Sequence, residues 1–264
     1  MGAADLTTVA VYERTIAASL ERIWENVRDW EHLPGLHRGS FEAIECLAEG
    51  DEGWRARLRG RGASSAIDVE VRLDRPNLRY VTATVAGAGA GTEIWTRLAP
   101  KEPHRTAIRV EFKLPGVAAG QGEALGRGYT ALYTRLWDED EAMMVRREAM
   151  LARSAALPKR SAATLELGPL AALRARLPLR VEHDGRAYRV LALGDELVAH
   201  ATLCPHWLGP LDEAEPDGDT IECPWHRYRF DLRTGRSCDG RGLRLSPTPR
   251  VAIDSQQRVS LVFD

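Results

Sequence analysis

From Thr8 to Ile16 apolar and polar residues alternate, the period of a strand with one buried face. Ser19 is then placed to cap a helix from Leu20 to about Arg28, with Leu20, Ile23, Trp24 and Val27 on one side. Six more strand-like runs follow, at Phe41 to Leu47, Trp54 to Leu58, Ala66 to Leu73, Tyr80 to Val85, Thr92 to Leu98 and Thr106 to Phe112. Gly, Asp, Asn and Pro separate them. The period becomes helical from about Glu123 to Ser154. An antiparallel sheet wrapped around so long a helix buries a cavity between the two. "ALPKRSAATLELG", Ala156 to Gly168, has no apolar period and reads as a linker. The rest is nearly all β. Leu179 to Glu182 and Ala187 to Leu193 flank "HDGR", a hairpin signal, Leu197 to Leu203 continues the strands, and short strands return from Tyr228. The expected division is a first domain over 1–157, a linker over 158–165 and a second domain over 166–264.

A chain of 264 residues has room for those two domains, and 44% apolar with 28% charged residues suits a globular protein with real cores. A formal net charge of -2 gives no general attraction to nucleic acid or to an anionic membrane. No apolar run approaches a membrane span. The start, Met1 to Asp5, lacks the charged head and apolar core of a signal peptide, so the cytoplasm is expected. In that compartment Cys46, Cys204, Cys223 and Cys238 are not expected to form a disulfide framework, and clustered Cys and His point to a metal.

The sharpest cluster is "CPHWLGPLDEAEPDGDTIECPWH". Cys204 and His206 are separated by one residue, sixteen residues follow, and Cys223 and His226 are separated by two. Two Cys on one iron and two His on the other is the ligand set of a Rieske [2Fe–2S] centre. The spacing, with "FDLRTGRS" after it, resembles the Rieske family over about residues 166 to 264. That resemblance implies that Cys204, His206, Cys223 and His226 hold the cluster. A structural zinc also takes two Cys and two His, but usually as Cys-x(2–4)-Cys and His-x(3–5)-His, for which Cys-x-His is awkward. Two departures stand out. The family often has Gly after each loop's His, where this chain has Trp207 and Arg227, with Gly209 two residues beyond Trp207. The extra loop cysteines of the high-potential branch are absent, and Trp225 lies inside the second loop. Fewer hydrogen bonds to sulfur imply a potential at the low end, on the order of −150 mV. Cys46 and Cys238 read as ordinary structural residues.

An iron–sulfur cluster moves single electrons, so another site must use them. The order strand, helix, meander and long helix resembles the START-like helix-grip fold over about residues 6 to 155. In "DWEHLPGLH" Asp29 and His32 are three apart and expected on one helix face, and Pro34 is expected to end or kink that helix so that His37 returns toward His32. Two His and one carboxylate would make the facial triad of a mononuclear iron site. On the long helix Tyr129, Leu132, Tyr133, Leu136, Met143 and Met144 form an apolar stripe, and Asp140 falls inside it. A carboxylate on a buried face needs a metal or a cation, either iron or a residue such as Arg147. Asp138 reads as solvated, and Glu139 and Glu141 lie off the stripe.

Asp-x-x-His-x-x-x-x-His, together with Glu139-Asp140 before apolar residues, resembles the Rieske non-haem iron oxygenases. The resemblance implies that His32, His37 and Asp140 bind Fe(II) and that Asp29 bridges the iron to an incoming Rieske histidine. It also implies O2 and an apolar small molecule as substrates, a flavin reductase with or without a ferredoxin as donor, and a trimer. The domain order is reversed relative to that family, and the chain has no glycine-rich dinucleotide fingerprint. Two other readings stay open. One is an iron-free START-like binding protein fused to a Rieske ferredoxin-type domain; the other is a cyclase using His and Asp as acid and base. Trp95, Tyr129, Tyr133 and Trp137 are candidates for a pocket or for plain core. His104, His183 and His200 fall in a loop, a hairpin turn and a strand, with no evident role.

Overall fold

The computed structural model describes residues 5–158, 161–245 and 248–263, and in it the first alternating run becomes β1 (Leu6–Ile16). Ser19 caps α1 (Leu20–Arg28), its Oγ accepting from the Arg22 amide at 3.3 Å. A single turn, α2 (Leu33–Leu36), leads into β2 (Phe41–Gly50), β3 (Gly53–Gly60), β4 (Ile67–Asp74), β5 (Arg79–Ala86), β6 (Glu93–Glu102) and β7 (Arg105–Pro115). The seven strands form one sheet in the order β1-β7-β6-β5-β4-β3-β2, antiparallel throughout. α3 (Gly122–Ala155) follows. Ile94, Leu98, Val110 and Phe112 of the sheet share one core with Trp24 and Val27 of α1 and Trp137 and Met144 of α3. Each such side chain, once buried, contributes about 1.5–3 kcal/mol. Gly126 lets α3 approach closely: a Cβ there would lie 2.5 Å from the Val9 carbonyl oxygen, beside the irregular register between Thr8 and Ala10. The result is an α+β helix-grip arrangement, a single antiparallel sheet with one long C-terminal helix.

The chain separates into two compact units, Met1–Glu148 and Ala149–Asp264. After the last turns of α3, the described residues of the second are β apart from one short helix. β8 (Ala163–Pro169) and α4 (Leu170–Arg174) precede β9 (Leu179–His183), β10 (Arg186–Leu193), β11 (Glu196–Ala201), β12 (Thr220–Glu222), β13 (Arg229–Asp231), β14 (Arg250–Ile253) and β15 (Arg258–Phe263). They form three small sheets, β11-β10-β9, β12-β13 and β14-β15-β8. The "HDGR" hairpin is present, with Asp184 and Gly185 both at positive φ (48° and 71°), as a type I′ turn requires. β8 begins inside the expected linker. Leu165 and Leu167 pack on the core built from Tyr188, Val190 and Leu261, and the strand pairs with β15. A three-position alternation beside Pro, Lys and Arg is too short to show as a period. Lys159 and Arg160 of that linker lie outside the described residues. No helix among the described residues is long and apolar enough to cross a membrane.

Candidate metal centres and an apolar cavity

Two loops of the second unit are built alike. The Cys204 amide donates to the Gly209 carbonyl at 2.9 Å and the Leu208 amide to the Cys204 carbonyl at 3.0 Å. In the second loop the Cys223 amide donates to the Tyr228 carbonyl at 2.8 Å and the Arg227 amide to the Cys223 carbonyl at 2.9 Å. The fourth residue after each Cys is left-handed, Leu208 at φ 63° and Arg227 at φ 60°. Counting from the histidines paired Trp207 with Arg227; the backbone pairs Leu208 with Arg227 instead, because the first loop has one residue fewer between its Cys and His.

The loops bring their chemistry together. Cys204 and Cys223 are both 1% exposed. The His206 and His226 rings meet edge to face with centroids 4.5 Å apart, and Tyr228 stacks on His206 at 4.5 Å. Gly209 makes room for the second loop: a Cβ there would lie 2.6 Å from Cys223 Sγ and 3.2 Å from the Trp225 ring. A hydrogen bond between the two desolvated thiols holds the proton on Cys204 and favours the Cys223 thiolate, which is pushed down to about 5. Cys46 is half-buried and Cys238 exposed, both outside these loops.

Left-handed backbone costs a non-glycine residue about 1–2 kcal/mol. The exposed Arg227–Glu222 pair, 3.1 Å apart, offsets at most about 1 kcal/mol of that. Arg227→Gly is therefore expected to stabilise the second unit by about 1 kcal/mol and raise its thermal midpoint. A fall in the midpoint of cluster-loaded protein would contradict this.

The first unit gathers a second constellation. α1 stops at Arg28, Asp29 is its C-cap, and His32 precedes α2. Asp29 and His32 thus flank a turn and do not share a helix face. Pro34 does not end a helix; it occupies the first turn of α2, where its missing N–H is not needed. His37 closes that turn and faces α3. Its Nε2 lies 3.1 Å from Asp140 Oδ1, and His32 Nε2 lies 3.5 Å from the same oxygen. One ligand atom from each of His32, His37 and Asp140 falls within 4.8 Å of the others, and all three residues are buried. Arg147 lies 2.9 Å from Glu25, Asp138 lies 2.5 Å from Arg14, and Glu141 also pairs with Arg14.

The outer nitrogens are held as well. His32 Nδ1 lies 3.4 Å from Asp29 Oδ2, and His37 Nδ1 lies 2.6 Å from Glu139 Oε2. His37 therefore has a hydrogen-bonded carboxylate behind it, the geometry that fixes tautomer and orientation in metal-ligating histidines, and both imidazoles turn Nε2 toward Asp140. Burial opposes a charge on His37, but Asp140 and Glu139 outweigh it and raise its pKa. Glu139 has no apolar-period signal, since it belongs to the site only through a partner 102 residues away.

A cavity of about 140 Å³ adjoins the triad, and Asp29, His32, His37 and Asp140 contribute to its lining. Tyr133 and Trp137 also line it. Trp95 does not: it points off the other face of the sheet, with Arg79 and Lys113 over its ring at 5.5 and 5.7 Å. Tyr129 is core, stacked on Phe112.

Residues 164–246 match the Rieske [2Fe–2S] domain family. The chain is also 30% identical over 79 residues to the ferredoxin component of the naphthalene 1,2-dioxygenase system of Pseudomonas aeruginosa, covering 76% of that protein and 30% of this chain. The chain belongs to the Rieske [2Fe–2S] family. Its Rieske unit is 35% identical over 77 residues to the ferredoxin component of the p-cumate 2,3-dioxygenase system of Pseudomonas putida, which is 29% of this chain and 61% of that protein. The chain spans 53% of a third such relative, ferredoxin CarAc of Metapseudomonas resinovorans. A START superfamily protein from Mycobacterium smegmatis is similar to the first unit: 19% identity and a TM-score of 0.42, over 52% of this chain and 97% of that one. Two buried thiols, two facing imidazoles and a glycine cradle fit the [2Fe–2S] group of the Rieske family.

Proposed function

We propose that the chain is a Rieske-type oxygenase acting on an apolar small molecule held in the helix-grip cavity. The observation that carries this is the convergence of His32, His37 and Asp140 on one point at the wall of that cavity, in a chain that also bears a Rieske domain. Cys204, His206, Cys223 and His226 would hold the cluster, and His32, His37 and Asp140 would hold Fe(II). The cluster supplies single electrons, and a mononuclear iron with open positions supplies a place where O2 is activated.

The residues of the chain do the rest. Glu139 would keep a proton on His37 Nδ1, so that its Nε2 lone pair faces inward, and Asp29 stands 3.4 Å from His32 Nδ1. Asp29 is in addition the acid proposed to meet an incoming Rieske histidine, within the trimer that the same reading expects. Val69, Val71, Leu136 and Trp137 would form the apolar wall beside the substrate. Electrons would come from a reductase, directly or through a ferredoxin. A second reading is favoured by the curated relatives, which are ferredoxin components: an iron-free binding domain carrying its own Rieske electron carrier.

Iron and acid-labile sulfide, measured on anaerobic protein supplied with Fe(II) and then desalted, separate the two. Three iron to two sulfide per chain is the expected result. Two to two would sink the triad and leave the carrier reading. Glu139→Ala should weaken Fe(II) binding by about 10–100-fold, with Glu139→Gln intermediate because its oxygen still accepts from Nδ1. Unchanged affinity in the alanine variant would remove Glu139 from the site.

A further inference from the structure

His200 lies on β11, outside both candidate centres, and is 0% exposed. Directly across the strand pair stands Arg189 of β10, and across from Arg189 stands Arg180 of β9. Cross-strand neighbours share one face of a sheet, so the three basic side chains form a row. The opposite face, with Tyr188, Val190, Ala199 and Ala201, belongs to the core. Over the basic row runs the acidic segment 211–219, which joins the first cluster loop to β12 and so to the second. Arg189, 7% exposed, donates to the Ala214 carbonyl at 2.5 Å and lies 3.3 Å from Glu215. Arg180 lies 3.7 Å from Asp212. At the start of the segment the Leu211 amide donates to the Thr202 carbonyl at 2.9 Å, two residues after His200.

His200 takes no part in that hold. Its Nδ1 lies 2.8 Å from the Ala201 carbonyl, and a carbonyl only accepts, so Nδ1 carries the proton. Nε2 is then a bare lone pair, buried with no hydrogen-bond partner among the described residues. A second proton there would find no acceptor and would set a positive charge beside the buried Arg189. Burial first, and Arg189 with it, hold the His200 pKa down against the Ala201 carbonyl and Asp212. Glu196 on the same strand and Arg250 on the adjoining β14 are both exposed.

We propose that Arg189 positions the two cluster loops through residues 211–219, and that protonation of His200 loosens this hold and makes the cluster acid-labile. The inference needs the Rieske cluster and not the mononuclear iron. Like charges directly opposite each other on paired strands are destabilising, and acid creates such a pair from Arg189 and His200. Above the ordinary histidine value of about 6.5, His200 is neutral whether the chain is folded or not, and nothing is lost. Below it the unfolded chain takes up the proton that the fold resists, so the hold weakens as pH falls.

The test is the rate at which cluster-loaded protein loses its visible absorbance to a ferrous-iron chelator, between about pH 8 and about pH 5.5. One unit of depressed pKa is worth a factor of ten, so loss from the parent should be about tenfold faster at the acid end. His200→Leu should match the parent at the alkaline end and keep at most about a threefold rise toward acid. His200→Asn serves the same purpose if the leucine variant does not fold. Arg189→Met should lose its cluster about tenfold faster than the parent already at the alkaline end, with circular dichroism unchanged. Arg189→Lys, which keeps the charge but not the fork that reaches both Ala214 and Glu215, should lie between. It takes the place of the methionine variant if that one does not fold. A parent rate that ignores pH would overturn the proposal, as would parent-like retention in the folded Arg189 variant. An acid rise of parental size in the His200 variants would also overturn it and place the lability on the cluster ligands themselves.

Discussion

Asp140→Ala is expected to remove one iron per chain and leave iron and sulfide at two each, with substrate-driven O2 uptake lost. Asp140 is buried on α3 between Trp137 and the Met143–Met144 pair. Alanine is the best helix former and leaves that packing intact. What disappears is the single oxygen that both imidazoles face, at 3.1 and 3.5 Å. Two histidines alone hold Fe(II) poorly, because the carboxylate supplies both a third bond and the only negative charge in the ligand set. Removing one partner of a buried pair also leaves His37 without its nearest inward counter-charge, so the metal-free variant should unfold somewhat earlier than the parent. Asp140→Asn separates a ligand from a structural residue: it keeps the size and an oxygen facing the imidazoles but not the charge, and should still lose the third iron. Asp138→Ala is the control: its side chain is 59% exposed and paired with Arg14, and it should keep all three iron. Three iron retained in Asp140→Ala would end the triad.

How much of this could be read beforehand depended on how local each feature is. The proposed cluster ligands sit in two short loops within one continuous stretch, and turn residues announce them. The strands of the first unit show as alternation because one face of the sheet is buried against α1 and α3. Asp140 is visible because a charge interrupting an apolar helical stripe needs a reason. Glu139 is invisible by the same test, since it sits at the edge of the stripe and matters only through His37. The turn at Asp29 was misread as helix because spacing alone does not show where α1 stops; the Asp29 amide already closes the helix onto Glu25 and Asn26. The correspondence of Leu208 with Arg227 required the loop hydrogen bonds. Which aromatics line the cavity required the pleat of β6 and the packing of Phe112 against α3.

Gly209→Ala is expected to cost the protein its Rieske cluster. Among the described residues of the second unit, every other glycine has positive φ, from 59° at Gly218 to 100° at Gly168. Gly209 does not, so its backbone suits any residue and its reason for being glycine is space. A methyl group there would sit 2.6 Å from Cys223 Sγ and 3.2–3.3 Å from the Trp225 ring. Neither neighbour can retreat. Trp225 is packed at 5% exposure, and Cys223 is held by the amide bonds of its loop. The strain of such overpacking is about 1–3 kcal/mol. It falls on the sulfur whose position a metal–thiolate bond needs fixed, so it should appear as lost cluster more than as lost fold. The visible absorbance, the electron paramagnetic resonance signal of the reduced protein and the sulfide content should all fall together, while far-ultraviolet circular dichroism keeps its β shape. Full cluster occupancy in Gly209→Ala would mean that the second loop can move away from the first. The fixed approach of Cys223 to Gly209 would then not be what builds the site.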